Sequence, residues 1–285
     1  MNWIVLSVLS AVTGSLTRIL QKVLLKDEQS NTFAFGFIFQ LLVAGLFLIY
    51  TLVTGTLEFP ALTGLILNLI IMTLFYSIGN LFTFYAFKNA DASEVSIILA
   101  SNTVWSVISA ILFLGERIKL LNVMGVILIV LSIVAINYSK TKWKLNKGHL
   151  YGALGAMLFG IAFTNDAYII NRYESVASYM ILAFGMPGLA TIFYSPKSIR
   201  RLGHFFTKRI FLNLLLCGIF YALSAIFIFT AYKNGGQASL ISPIQQTSII
   251  FTVALSWLFL GERKKMINKL IGMFLSFAGV LLLIS

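Results

Sequence analysis

Hydrophobic residues fill long stretches of the chain, and most charged residues lie in the short segments between them. Ten of these apolar stretches have about the length that an α-helix needs to cross a bilayer, roughly 20 residues. The pattern therefore predicts an all-α, polytopic membrane protein with ten transmembrane helices joined by short connections. The predicted spans are 3–24, 33–54, 64–87, 93–114, 119–138, 149–170, 176–194, 210–232, 238–259 and 267–284.

A six-residue motif occurs twice in the chain. LFLGER stands at Leu112–Arg117 and again at Leu258–Arg263, 146 positions later. The surrounding sequence repeats at nearly the same offset. AFKN in the first copy corresponds to AYKN in the second, and Gly14 corresponds to Gly160. A repeat of this length indicates that the chain consists of two copies of one structural unit.

Each copy holds five of the predicted spans, and the odd number determines the topology. After five crossings the chain lies on the opposite side of the membrane, so the second copy must insert upside down relative to the first. Inverted repeats of this kind are common in secondary transporters, whose substrate site lies near the bilayer midplane between the halves. The two predicted repeats, each treated as one domain, cover residues 1–139 and 148–285.

The overall composition also favours lipid as the environment of this chain. Hydrophobic residues make up 59% of the sequence and charged residues 11%, whereas a soluble domain averages about 25% charged residues. The net charge of +12 comes from basic clusters between the apolar stretches. Such clusters orient membrane proteins and contact anionic headgroups, so no nucleic-acid partner is predicted.

The distribution of Lys and Arg predicts which side of the membrane each connection faces. Of the 21 basic residues, 15 lie in the odd-numbered connections between spans and four in the even-numbered ones. Because basic residues are enriched in cytoplasmic connections, this bias places the odd-numbered connections in the cytoplasm and both termini outside.

The arrangement resembles the EamA branch of the drug/metabolite transporter superfamily. The most specific part of the resemblance is Leu114–Arg117, repeated as Leu260–Arg263, at the end of the fourth span of each half. The resemblance covers nearly the whole chain. It implies that spans 1–4 and 6–9 surround a central cavity, while spans 5 and 10 are peripheral and could support a homodimer. It also implies cytoplasmic termini, the reverse of the prediction from charge, so two orientations remain open.

The resemblance further implies a secondary transporter in the cell (plasma) membrane that moves a small polar or amphipathic metabolite by alternating access, with export favoured over uptake. Two alternatives remain open, a flippase of lipid headgroups and a membrane-embedded subunit that transports nothing. The sequence has no phosphate-binding loop, no nucleophile motif and no histidine-rich metal spacing. Enzymatic activity, a cofactor and a bound metal are therefore not predicted.

Charged residues within the spans are the first candidates for a role in transport, because burying a charge at the bilayer centre costs about 2.5–3.5 kcal/mol. Arg18 could bind a substrate carboxylate or phosphate through two hydrogen bonds, or it could snorkel to the membrane surface with Lys22. Asp166 lies at a comparable depth in the second half, where it could pair with Arg18 or carry a coupling proton. Glu94 is a second coupling candidate, although a capping box with Asp91 would also explain it.

Polar and aromatic residues within the spans are further candidates, because polar side chains in lipid need a neighbouring helix or a water-filled cavity. Tyr76 and Tyr221 occupy equivalent positions in the two halves and could flank one ligand, although ordinary helix packing is the alternative. The candidates for substrate binding are Arg18, Tyr76, Asn80, Asn102, Trp105, Asn165, Tyr221, Ser224, Gln245 and Gln246, and those for coupling are Asp166 and Glu94.

Overall fold

The computed structural model describes residues 2–59, 64–114, 120–137, 146–170, 175–234 and 238–283. These ranges are almost entirely helical and contain no strand, which confirms the predicted all-α class. The described α-helices are α1 (Trp3–Lys26), α2 (Thr32–Thr54), α3 (Ile66–Asn89), α4 (Ala92–Leu99), α5 (Asn102–Leu114), α6 (Leu120–Asn137), α7 (Lys147–Ile170), α8 (Val176–Tyr194), α9 (Lys208–Lys233), α10 (Ala238–Phe259) and α11 (Met266–Leu283).

The fourth predicted span is two helices, so its prediction as one continuous helix is wrong. The chain breaks at Ala100–Ser101, between α4 and α5. The Ser101 N–H and Oγ both donate to the Ile98 carbonyl, at 3.0 and 2.7 Å. A bond to the third preceding residue tightens the turn and interrupts the regular ladder. One further helix was not predicted, the 3-10 helix Pro196–Phe206 between α8 and α9.

The outer surface of the helices is apolar. In the part of the chain that the structure describes, α1, α2, α3, α8 and α9 are long and apolar enough to cross a membrane, and α6, α10 and α11 contain shorter apolar stretches. Large side chains on the outside are highly exposed, among them Val53 at 81%, Phe193 at 81% and Ile267 at 72%. Apolar exposure on this scale suits lipid and not water. The chain is a membrane protein.

The two halves of the chain interlock in a symmetric pattern. Helix α1 packs against α9 and α10, while α7 packs against α3 and against the span formed by α4 and α5. Helix α2 packs against α8, and α6 against α11. Exchanging every helix with its counterpart in the other half leaves this set of pairs unchanged. The pattern indicates a pseudo-two-fold relation between the halves.

Helices α2 and α8, which are counterparts in the two halves, lie side by side and run antiparallel. Gln40 donates to Thr191 Oγ1 at 3.4 Å, whereas Ala44, one turn later in α2, lies next to Gly185, further back in α8. Moving forward along one helix therefore means moving backward along the other. The antiparallel direction of these counterpart helices constrains how the two halves can be oriented in the membrane.

The odd-numbered connections meet at one end of the bundle, called here the odd-connection face. Four of them line a single cleft of about 610 Å³ through Lys26, Asn89, Asn146 and Lys264. In the fifth, the connection between α8 and α9, His204 lies 3.3 Å from Asp27 in the first. The basic residues of these connections that the structure describes are thus gathered on one face of the molecule.

Gly160 allows a close crossing of α7 and α5. A Cβ atom at this position would lie 2.4 Å from the Asn102 carbonyl oxygen and 2.4 Å from Trp105 Cβ. Ser106 Oγ donates to the Gly160 carbonyl oxygen at 3.0 Å, which ties the two backbones together. The glycine therefore determines how closely the fourth span approaches the sixth.

Candidate functional site

Arg18 lies deep in the bundle, where α1 meets α10. Its Nη1 donates a hydrogen bond to Ser248 Oγ at 3.2 Å, and Ser248 is near the middle of α10. Among the described residues, none of the ion pairs involves Arg18. The side chain is surrounded by protein yet keeps part of its surface accessible. A guanidinium has five N–H donors, and within the described residues one of them is used by the bond to Ser248.

Tyr221 lies near Arg18, on α9. It is within electrostatic range of Arg18, Asp166 and Tyr76. The Tyr221 ring packs edge-on against Phe184, with ring centroids 5.0 Å apart. Like Arg18, Tyr76 and Tyr221 are deep in the bundle and partly accessible. The structure thus brings the two equivalent tyrosines into one region.

Asp166 is buried between α3, α7 and α8, and two tyrosine hydroxyls bind its carboxylate. Tyr179 donates to Oδ1 at 2.6 Å, and Tyr76 donates to Oδ2. The predicted pairing of Asp166 with Arg18 is wrong, since no ion pair joins them among the described residues. The physical reason is that α3 and α8 supply hydroxyls to the carboxylate, whereas Arg18 bonds to α10.

Tyr179 belongs to this cluster and was not among the predicted residues. It is fully buried in the first turn of α8, where its hydroxyl also lies 3.2 Å from Met72 Sδ. The sequence around it is apolar, and nothing in the spacing distinguishes this tyrosine from one that only packs. An indirect signal is Asp166 itself, because a buried carboxylate requires hydrogen-bond donors from a neighbouring helix.

Two of the predicted amide side chains bind other amides between helices. Asn80 donates to Gln40 Oε1 at 3.2 Å, which joins α3 to α2. Asn165 and Asn68 bond twice, with Asn68 Nδ2 donating to Asn165 Oδ1 at 2.7 Å and Asn165 Nδ2 donating to the Asn68 carbonyl oxygen at 2.9 Å. Both arrangements hold helices together, which is the alternative that the sequence left open for these residues.

Two further candidates bind the first half of α1. Ser224 and Ser10 exchange bonds, with each hydroxyl donating to the other residue's carbonyl oxygen at 2.8 and 2.6 Å. Gln245 Nε2 donates to the Ser7 carbonyl oxygen at 3.1 Å. These contacts fix α1 between α9 and α10, and they position Arg18 two turns further along.

The remaining substrate-binding candidates lie on α5 and α10. Asn102 and Trp105 are partly buried at the start of α5, beside Gly160. Gln246 is part of α10, but its side chain lies outside the described residues.

A second polar cluster, at the odd-connection face, involves the repeated motif. Glu262 is 8% exposed, and its Oε1 accepts a bond from the Ala92 N–H at 2.7 Å. Its Oε2 accepts from the Ser93 N–H at 3.2 Å and from Ser93 Oγ at 2.6 Å. A carboxylate of the second half therefore caps α4 of the first half. We call these contacts the Glu262 clasp.

The capping box predicted for α4 is wrong, although Asp91 does occupy the N-cap position. Its carboxylate makes no cap bond and lies 2.6 Å from Lys269 Nζ, a side chain that is 1% exposed. Glu94 pairs with His149, at 2.8 Å between Oε2 and Nε2. The helix needs no cap of its own because Glu262 satisfies its first N–H groups.

The EamA-like transporter family matches residues 1–138 and, a second time, residues 146–285. The chain belongs to the EamA-like transporter family. Both copies of the LFLGER motif fall within the matched ranges, as the resemblance implied. This EamA chain is therefore a transmembrane protein of the drug/metabolite transporter type.

The EamA fold extends over almost the whole chain. A solved structure, described only as "Crystal structure of protein", matches with a TM-score of 0.62 and 14% identity, and it covers 96% of this chain and 95% of that chain. It is one of 26 matching chains of known structure. No curated protein matches the chain. At this identity the likeness to the solved structure establishes the fold alone.

The repeated motif has a structural role in this EamA chain, at least in its second copy. Gly261 adopts a left-handed conformation, with a φ of 65°, that ends α10 and turns Glu262 back toward α4. Few residues other than glycine adopt this conformation readily. The first copy, with Glu116 and Arg117, ends outside the described residues.

Proposed function

We propose that this chain is a secondary transporter that exports a small polar or amphipathic metabolite across the plasma membrane. The observation that carries the proposal is Arg18, a cation deep among apolar helices whose guanidinium, within the described residues, donates one hydrogen bond to Ser248. An arginine in this position is costly unless it faces water or binds an anion. A substrate carboxylate or phosphate satisfies the remaining donors.

The proposed topology is ten transmembrane helices in two inverted repeats, over residues 1–139 and 148–285. It is supported by α2 and α8, which are counterparts, neighbours and antiparallel. A two-fold axis that relates two adjacent antiparallel helices is perpendicular to them, and so lies in the membrane plane. Inverted repeats of this kind hold their substrate near the midplane, between the halves.

The two tyrosines near Arg18 suit a substrate with both a charged and an apolar part. Tyr221 lies near the guanidinium, and Tyr76, whose hydroxyl binds Asp166, lies near Tyr221. A charged group bound by Arg18 and a less polar group against the rings together describe a small amphipathic anion. The partial accessibility of these side chains argues against a non-transporting subunit with a fully packed midplane.

Alternating access requires each face to close in turn, and the Glu262 clasp is the proposed gate at the odd-connection face. It joins α4 of the first half to the end of α10 in the second through three hydrogen bonds. Opening this face requires the carboxylate to leave the α4 N-terminus and exchange those bonds for water.

Protons are the proposed coupling ion, with Asp166 as the site that carries them. Its carboxylate is held by Tyr76 of α3 and Tyr179 of α8. Protonation removes the charge that attracts both hydroxyls and so weakens this three-helix contact. Glu94, bound to His149 at the odd-connection face, is the second candidate.

The test compares metabolite release by cells that produce the unmodified protein, Arg18→Ala or the control Arg201→Ala, at matched membrane levels. Arg201 is exposed on the 3-10 helix between α8 and α9. Loss of charged hydrogen bonds, about 1.5–3 kcal/mol, is expected to cut release of the exported compounds at least about tenfold in Arg18→Ala only. Mass spectrometry of the medium measures this, and normal release by Arg18→Ala would refute the role of Arg18.

A further inference from the structure

The cleft at the odd-connection face is lined by more cations than the transport proposal uses. It has a volume of about 610 Å³, and Arg18 is not among the residues that line it. Five lysines and two acidic residues line it, and the lysines come from three different segments of the chain. The charged lining residues are Lys22, Lys26, Lys88, Asp91, Glu94, Lys264 and Lys265.

The acidic residues of the cleft are already paired with basic side chains that do not line it. Asp91 binds Lys269 at 2.6 Å, and Glu94 binds His149 at 2.8 Å. Lys269 is 1% exposed and lies beneath the cleft surface. Both carboxylates are also within electrostatic range of Lys22, so the charge of this lysine is partly compensated.

Two of the lysines are held by backbone carbonyl groups. Lys22 Nζ donates to the Phe87 and Ala90 carbonyl oxygens at 2.7 and 2.6 Å, and Lys88 Nζ donates to the Ser30 carbonyl oxygen. These bonds fix both ammonium groups at the end of α3, but the carbonyl groups themselves do not neutralise the charge. A carbonyl oxygen is a dipole and carries no net negative charge.

The other three lysines of the cleft, Lys26, Lys264 and Lys265, have no side-chain hydrogen bond or ion pair within the part of the chain that the structure describes. Lys265 has a φ of 52°, a left-handed conformation that costs a non-glycine residue about 1–2 kcal/mol. The strained turn presents two consecutive lysines to the same cleft. Strain of this kind at a site with excess charge points to a ligand.

The cleft is aligned with the internal site along one face of α1. Lys26, Lys22 and Arg18 follow at intervals of four residues, so their side chains lie on the same side of the helix. Lys22 is 8% exposed and lies between the cleft and Arg18. The face thus carries a line of cations from the membrane surface to the interior.

We propose that the lysine cleft is a binding site for a phosphate group, separate from the midplane site. Three unpaired ammonium groups around an open cleft match a multiply charged anion, and lysine binds phosphate as a point charge. The phosphate has two sources, an anionic lipid headgroup of the adjacent leaflet or a soluble phosphate-bearing compound that enters along α1. The second source rests on the proposed function, because it leads to Arg18.

The experiment uses the purified full chain in nanodiscs and two probes, inorganic pyrophosphate and phosphatidylglycerol. The cleft variant is Lys26→Gln/Lys264→Gln/Lys265→Gln. Its matched control, Lys197→Gln/Arg200→Gln/Arg201→Gln, removes three exposed cations from the same face without touching the cleft. Thermal-shift titration measures pyrophosphate binding, and native mass spectrometry measures retained phosphatidylglycerol.

The cleft variant is expected to bind the relevant probe at least about tenfold more weakly, since each lysine near a phosphate surface contributes about 1 kcal/mol. The control is expected to bind like the unmodified protein. Selective loss of phosphatidylglycerol identifies a lipid headgroup, and selective loss of pyrophosphate identifies a soluble anion. Equal binding of both probes by the cleft variant and the control overturns the proposal.

The outcome of this binding experiment is independent of the transport test. Arg18→Ala is expected to bind both probes as the unmodified protein does, because Arg18 does not line the cleft. If Arg18→Ala exports normally, the proposed function fails while the binding result stands. If the cleft variant binds normally, the cleft proposal fails while the case for Arg18 stands.

Discussion

Glu262 and Arg18 show how the partners of a buried charge separate a structural role from a functional one. The Glu262 carboxylate accepts three hydrogen bonds from α4 and lies 3.7 Å from Lys269 Nζ. Arg18 donates one hydrogen bond within the described residues and keeps part of its surface accessible. A charged side chain whose hydrogen-bonding groups are taken up by protein partners holds two elements together. One with donors left over is available to a ligand.

Replacing Glu262 by Gln is expected to destabilise the protein. The amide nitrogen of Gln would meet N–H groups where a carboxylate oxygen now accepts bonds, at a cost of about 1.5–3 kcal/mol for a charged hydrogen bond. Thermal unfolding in detergent measures the change, with Glu28→Gln, on the exposed connection after α1, as the control. Identical midpoints for the two variants would show that the clasp contributes nothing.

At the scale of elements, the apolar stretches predicted the helices well because a segment in lipid must satisfy its backbone hydrogen bonds internally. Nine described helices begin and end within two residues of the predicted spans. The break at Ser101 escaped prediction because it depends on one serine bonding back to Ile98. The hydrogen-bond partners of Asp166 were not predicted either, because the neighbours of a helix depend on packing between distant segments.

The same packing makes Gly160 and Gly45 respond oppositely to substitution by Ala. Gly160→Ala is expected to destabilise the fold by about 1–3 kcal/mol, because its Cβ would meet α5 at 2.4 Å. Gly45→Ala, where nothing lies within 4 Å of the new atom, is expected to stabilise α2 by about 0.4–1 kcal/mol. Thermal unfolding of both variants measures this, and equal shifts would mean that α5 and α7 do not cross closely at Gly160.

At the scale of the whole molecule, the two halves share one fold but differ in the charges they hold. The repeat offset aligns Arg18 with Thr164 and Asp166 with Leu20, so neither charge has a charged counterpart in the other half. The sequence predicted the repeat and the family, because both follow from recurring motifs. The arrangement of the charges could not be read from the sequence, because Arg18 turns toward α10 and Asp166 toward α3 and α8.

The most direct test of the central claim asks whether the space beside Arg18 opens to both sides of the membrane. The single cysteine, Cys217, is buried and can be replaced by Ala to give a cysteine-free background. Ser248→Cys then places a thiol beside Arg18, and Ser132→Cys places a control thiol in the fully buried contact between α6 and α11. A membrane-impermeant thiol reagent is added to vesicles of each orientation.

Alternating access predicts that Cys at position 248 is modified from either side of the membrane, while Cys at position 132 is protected from both. Modification at position 248 from one side only, or from neither side, would contradict the proposed transport mechanism.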